Sequence, residues 1–519
     1  MKKIYILSIL LAAISLSSCD DFLDVMPDNR AEVDTEEKVR KLLVSAYPTS
    51  AYILATELSS DNMDDYGSTN PYTDRFWEQL FNWIDVTETN NESPAQIWEG
   101  CYRAIASANQ ALGAIDEMGN PESLNPARGE ALVCRAYAHF ILTNVFSHHY
   151  SPLHAEQDMG IPYMEASETE LNPQYERPTV AENYELIKKD LEEGLPLIND
   201  AMYSVPKYHF NKKAAYAFAS RFYLYYQDWD KVIESASNAL GAAPATLLRN
   251  NAELATYPRD PLTDVSTQYI NASAKANFLL ITGYSNLGTI FGAYYTGSRY
   301  SHGGIISKTE TIESNGPWGD YSSAVFHLRP WVYSGTNLDK VLLPRLPYLM
   351  EYLDPVAGTG YRRTVYAAFT AEEALLNRAE ASILKKDYSS ALKDMNLWIA
   401  NTLKNGYVLT EQDIISWNER HAYYTPMEPT PRKQLDPDFE LDATQENYVQ
   451  CLLYLRRHET IHMGLRWFDM KRYGMEATRR VIASGAVGSL GSTLKKRDNR
   501  YAIQIPADVV DAGITPNPR

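Results

Sequence analysis

His458-Glu459-Thr460-Ile461-His462 is a literal His-Glu-x-x-His. On a helix, residues four apart share a face, so both imidazoles would ligate zinc while Glu459 activates a water. Features of the same stretch oppose that chemistry. Arg456, Arg457 and Arg466 load it with positive charge, which repels a dication. The extended metalloprotease pattern wants Gly and His where Leu465 and Phe468 stand, leaving Glu476 as a remaining acidic candidate for third ligand.

A second chemistry lies in aromatic rings set among Asn, Asp, Ser and Thr. A sugar ring presents C–H groups on one face and hydroxyls at its rim. An aromatic ring takes the face by dispersion and desolvation, while Asn, Asp, Arg and Tyr hydroxyls take the rim. Trp77, Trp83, Tyr294, Tyr295, Tyr300, Trp318, Tyr321 and Trp331 lie in such company and are the candidate ligand-binding residues. Trp318, between two glycines and a proline, is the one expected to be most exposed. The competing reading places half or more of these rings in the core or against a partner protein, where aromatics also concentrate. The whole chain holds 37 Tyr against 14 Phe, a balance suited to wet contact surfaces rather than dry cores.

These residues need a scaffold, and the sequence predicts helices for it. In Ala371–Ile399, Tyr388, Ala391, Leu392, Met395, Trp398 and Ile399 form an apolar helical stripe. Leu376, Ala379 and Ile383 form another on the preceding helix, and Asp387 closes the turn between them. An earlier segment repeats the scheme: Trp229, Val232, Ile233, Ala236, Ala239 and Leu240 fall on the same six positions, with Asp228 matching Asp387. Such pairs resemble tetratricopeptide repeats, which need stacked neighbours to bury their apolar sides. Further helices are expected over 35–46, 96–117, 126–146 and 180–195, the last with Thr179 and Glu182 as a capping box. A long run from Thr444 through Tyr473 is also expected to be helical, and Ile503–Pro506 a short strand. Periodicity vanishes over Ala242–Ala367, which reads as an irregular region laid against the helices.

The net charge of −18 excludes nucleic acid as a partner, because little would neutralise phosphates. Met1–Ser18 has the charged start and short apolar centre of a secretory signal. Its ending, Leu16-Ser17-Ser18-Cys19, resembles the bacterial lipoprotein signal, in which cleavage precedes the Cys and lipid is attached to its thiol; an ordinary cleaved signal is the alternative. Cys101, Cys134 and Cys451 have apolar helical neighbours and read as buried thiols.

Five stretches carry a resemblance to a family. They are Cys19–Pro27 (CDDFLDVMP), Thr179–Glu193, Asn211–Ala217 (NKKAAYA), Gly464–Gly474 (GLRWFDMKRYG), and the ending Ile503–Pro506 followed by Asn517-Pro518. In this order they resemble the SusD/RagB family of outer-membrane nutrient-binding lipoproteins of Bacteroidetes. The resemblance implies a mostly α fold: a tetratricopeptide-like helical-hairpin scaffold of four pairs with a large loop-rich insert.

It divides the chain into a signal peptide (1–18), a lipid anchor and tether (19–34), an N-terminal helical part (35–241) with an aromatic loop at 59–95, an irregular insert carrying the ligand face (242–368), and a C-terminal helical part and tail (369–519). It further implies an exterior-facing protein anchored in the outer membrane through Cys19, with a SusC-like TonB-dependent barrel as partner and an oligosaccharide as cargo. A peptide-capturing lid of the RagB type is the alternative cargo reading, and a zinc hydrolase using His458 and His462 the third. The resemblance implies no catalysis, and no cofactor is expected. It also pairs Glu459 with Arg466 in a structural ion pair.

Overall fold

The structure, a computed structural model, describes residues 33–168, 173–260, 263–322 and 325–519. The signal peptide and Cys19 lie outside the described residues.

Helices dominate. The principal ones are α1 (Glu36–Leu43), α2 (Ile53–Ser59), α3 (Arg75–Phe81), α4 (Pro94–Glu117), α5 (Asn125–Phe146), α6 (Val180–Gly194), α7 (Lys212–Tyr226), α8 (Trp229–Leu240), α9 (Ala371–Leu384), α10 (Tyr388–Thr402), α11 (Glu411–Arg420), α12 (Ala443–Thr460) and α13 (Arg466–Arg472), with further short helices between. The pairs α4/α5, α7/α8, α9/α10 and α11/α12 pack against each other, and α8 packs on α9. One hydrophobic core runs through them, from Val39 to Ile514. This is the expected mostly α, stacked-hairpin scaffold.

Local sequence explains the hairpins. Asp228 and Asp387 are both helix N-caps, accepting from the backbone N–H of Lys231 and Ser390. Just before each, Gln227 (φ 66°) and Lys386 (φ 63°) adopt the left-handed conformation that reverses the chain. The two turns are thus built alike. Arg378 of α9 then grips Asp394 of α10 through two hydrogen bonds of 2.7 and 2.8 Å, as Arg135 of α5 grips Asp190 of α6 at 2.7 and 2.6 Å. The capping box on α6 forms as expected between Thr179 and Glu182.

The loop-rich insert also carries strands that the sequence pattern does not predict: β2 (Asn277–Tyr284), β6 (Leu349–Asp354) and β7 (Thr359–Thr370) form an antiparallel sheet in the order β2-β7-β6. Two local expectations need correction. The long C-terminal helix breaks at Ile461–Leu465, between α12 and α13. Ile503–Pro506 is extended but is no strand; Asn517 Nδ2 donates to the Ile503 and Phe146 carbonyls and so pins the tail to α5.

The remaining strands are β1 (Asp64–Asp65), β3 (Tyr300–Ser301), β4 (Trp331–Tyr333), β5 (Lys340–Leu342), β8 (Ala477–Ala483) and β9 (Ala486–Leu494). They pair as β3-β1-β8-β9 and β4-β5. The β2-β7-β6 sheet lies between two cores. Ile281 and Tyr366 face the helices, while Leu280, Val365 and Ala367 face a smaller core with Trp331 and Leu342. Alternation along a strand makes that division automatic.

A buried ionic cluster joins the distant parts. Arg466 forks Asp61 at 2.7 and 2.8 Å. Glu310 receives Lys433 at 2.5 Å, Arg457 at 3.0 Å and Arg480 at 2.8 Å. The expected Glu459–Arg466 pair is therefore not made. Glu459 instead accepts from Trp398 Nε1 at 2.9 Å and faces Arg345 at 3.9 Å, because the break after α12 turns Arg466 toward α2 and the loop that follows it.

Candidate functional site

Two loops distant in sequence are zipped together by backbone hydrogen bonds. Tyr66 N–H donates to the Arg299 carbonyl at 2.7 Å, and Arg299 N–H to the Tyr72 carbonyl at 3.0 Å. This pairing lays the ring of Tyr72 on that of Tyr295, with centroids 4.4 Å apart and planes 5° from parallel. Next to Tyr295, the ring of Tyr294 lies 4.8 Å from that of Tyr348. Their loops can meet because residue 288 is glycine: a Cβ there would fall 2.1 Å from the Pro347 carbonyl oxygen. Tyr72 is 40% exposed and Tyr294 49%.

The polar partners come from the sheet. Arg362, on the exposed outer part of β7, donates to the Tyr295 hydroxyl at 3.0 Å and to Asn286 Oδ1 at 3.2 Å. The bond to Tyr295 holds the guanidinium above its ordinary pKa. Asn286 is fixed in turn by Glu92, which accepts from its backbone N–H at 2.7 Å. Beneath the loop, the buried Lys340 ammonium donates to the carbonyls of Ile290 (2.5 Å) and Tyr295 (3.3 Å). Burial alone lowers its pKa to about 7. The arrangement is an open platform of tyrosine rings with an arginine and an asparagine at its rim, suited to the flat face and hydroxyl edge of a sugar.

Of the eight expected ring positions, Tyr294 and Tyr295 stand on this platform. Four others are buried and belong to packing. Trp77 lies on the inward face of α3. Trp83 donates from Nε1 to the Ser59 carbonyl and is covered by the Arg479 guanidinium, 3.9 Å from the ring centroid. Tyr300 packs 4.5 Å from Phe81. Trp331 sits in the smaller core under the Arg259 guanidinium, 3.7 Å from its ring. Trp83, Tyr300 and Trp331 each lost an open face to a residue remote in sequence.

Trp318, expected as the most exposed, is half-buried, with Phe326 and Tyr454 each 5.8 Å away. Tyr321 is half-buried and 6.1 Å from Phe326, so these two share a separate patch. Sequence reasoning did not select Tyr72, although it lies in the aromatic loop, nor Tyr348, whose surroundings Leu346-Pro347-Tyr348-Leu349 read as apolar.

Residues 21–224 match a SusD-like family described as starch-binding and associating with the outer membrane. No curated protein matches the chain. Solved structures share the fold over nearly the whole length. A SusD superfamily protein from Bacteroides vulgatus has a TM-score of 0.64 at 17% identity, covering 92% of this chain and 97% of its own. One from Bacteroides thetaiotaomicron has 0.63 at 16%, covering 93% and 99%. A protein described as a putative sugar binding protein, from Bacteroides vulgatus, has 0.61 at 19%, covering 94% and 99%. The N-terminal part of the chain is thus similar to the SusD-like family, and the whole chain has the fold of the SusD superfamily structures.

Within this fold the His-Glu-x-x-His run is a packing element. α12 ends at Thr460, and His462 lies beyond it with φ 63°, so the two imidazoles do not share a helix face. His462 stacks on Phe291 at 4.7 Å and His458 on Phe326 at 5.2 Å. Burial, with Arg345 and His302 nearby, lowers His458 to about 3. Among the described residues, no group of three or more His, Cys, Asp or Glu is placed to hold a metal ion.

Proposed function

We propose that this protein is a surface lipoprotein of the outer membrane, anchored through Cys19, that captures an oligosaccharide and delivers it to a SusC-like TonB-dependent transporter. The observation that carries the reading is the parallel Tyr72–Tyr295 stack, with Arg362 and Asn286 hydrogen-bonded at its edge. A platform open to solvent admits a long polymer sideways and releases it readily, as a delivery protein must. The description of the matching family as starch-binding supports the cargo class, as does that of a structural neighbour as sugar binding.

The test is affinity electrophoresis and calorimetry against a panel of plant and host glycans and, separately, oligopeptides. Retention by a glycan that Tyr72→Ala/Tyr295→Ala abolishes supports the proposal. Binding of peptides alone would establish the RagB-type alternative. Attachment is tested by globomycin-sensitive processing and membrane fractionation of Cys19→Ala, which should release the protein from the membrane. Co-purification of the wild type with a barrel tests the transporter partnership.

A further inference from the structure

The outer part of the β2-β7-β6 sheet continues past both cores, and its two faces leave the protein as the two sides of one blade. Register assigns them. Tyr284, Arg363 and Leu349 are cross-strand partners on one face, and Glu351 pairs with Tyr361 on that same face. Arg362 points to the other face, where it meets Tyr295. The Tyr295 platform is thus only one side of the blade.

The opposite side is also aromatic. Tyr284 (45% exposed) and Tyr361 (53% exposed) stand edge to face, with centroids 5.4 Å apart and planes at 65°. The Arg363 guanidinium lies 5.1 Å from the Tyr284 centroid. It is held there by an ion pair with Glu351 and a 3.3 Å hydrogen bond to Thr282 Oγ1. This pairing pre-orients donors and acceptors beside two open ring surfaces. The polar side chains beside the rings are Arg363, Glu351 and Thr282; Leu349 is partly buried against the smaller core, and the exposed aliphatic side chains Leu353 and Val356 are confined to the turn end of the hairpin. Open rings edged by fixed polar groups suit a hydroxylated ring better than an aliphatic protein surface.

We propose that Tyr284 and Tyr361, with Arg363 and Glu351 at their rim, form a second carbohydrate platform on the reverse face of the hairpin that carries Arg362. The inference rests on the carbohydrate reading of the first platform. A short oligosaccharide occupies either face but not both, since the sheet separates them. A polysaccharide engages both, and the second contact becomes intramolecular and raises retention without any new chemistry.

The experiment uses the whole protein, a polysaccharide retained by the wild type, and the tetrasaccharide cut from it. Calorimetry should give two tetrasaccharide sites for the wild type and one for Tyr284→Ala/Tyr361→Ala, with polysaccharide retention weakened about tenfold or more in that variant. Tyr284→Phe/Tyr361→Phe keeps the rings and should keep both sites. The exposed positions allow folding to be checked by an unchanged melting curve. A single site in the wild type, lost in Tyr72→Ala/Tyr295→Ala and untouched in Tyr284→Ala/Tyr361→Ala, overturns this inference alone. So does unchanged glycan retention with lost co-purification of a barrel, which would make the face a protein contact. A wild type that binds no glycan overturns both readings.

Discussion

The rings of Tyr72 and Tyr295 lie 4.4 Å apart and nearly parallel, although one belongs to the N-terminal helical part and the other to the insert. Either tyrosine alone on a loop would offer a mobile ring. Stacked, each restricts the other, and Arg362 holds the Tyr295 hydroxyl. The surface is therefore ordered in advance, which would lower the entropy lost by a ligand binding there.

Removing either ring should weaken binding by more than its own contact area, since the partner loses its restraint. Tyr295→Ala and Tyr72→Ala are each expected to reduce glycan affinity at least about tenfold, a loss on the order of 1.4 kcal/mol. Arg362→Met should do the same with the rings in place. Calorimetry on the three variants reads the outcome; an unchanged affinity in Tyr72→Ala would place the ligand elsewhere.

Lys340 is expected to act as a buried strut for this loop. Lys340→Met leaves the carbonyls of Ile290 and Tyr295 without their donor, and should destabilise the protein by about 1–3 kcal/mol. Faster amide exchange over residues 287–296 would accompany it. The ammonium has a folded pKa of about 7 against 10.5 ordinarily, so between those values the unfolded chain holds a proton that the folded chain lacks. The group therefore makes stability rise with pH in that window. Chemical denaturation at pH 7, 8.5 and 10 should show a shallower rise in Lys340→Met than in the wild type.

The Asp61–Glu310 cluster should dominate the acid limb. Burial raises both carboxyls, but cations outweigh it: Lys433, Arg480 and Arg457 bring Glu310 to about 2, and Arg457, Arg466 and Lys433 hold Asp61 well below its usual range. For Glu310 the folded value lies below the ordinary 4.5, so its contribution is complete above pH 4.5 and is lost as pH falls toward 2. Asp61→Asn leaves Arg466 buried without its paired carboxylate and should cost about 3–5 kcal/mol. Urea titrations from pH 2 to 7 check both statements; an acid limb of equal depth in Asp61→Asn and wild type would contradict them.

The thiols of Cys101, Cys134 and Cys451 are free and buried, and burial pushes each pKa up. Ellman's reagent should modify none of the three in folded protein and all three after unfolding in guanidinium. Rapid reaction of any one under native conditions would show that its helix opens locally.

Period and spacing by themselves determined the helical hairpins, because each stripe, cap and turn is a local property: Asp228 and Asp387 cap helices wherever the chain places them. The same local reading found that ring-rich loops flank the first helices and fill the insert. Tertiary structure alone decided which rings stay open. Trp83 and Trp331 are covered by Arg479 and Arg259, and Tyr300 by Phe81, while Tyr72 meets Tyr295 through pairing between distant loops. The β2-β7-β6 sheet escaped notice for the same reason. A strand's partner and its buried face are set by a segment far along the chain, so exposure, unlike helical period, is a property of contacts that neighbouring residues do not encode.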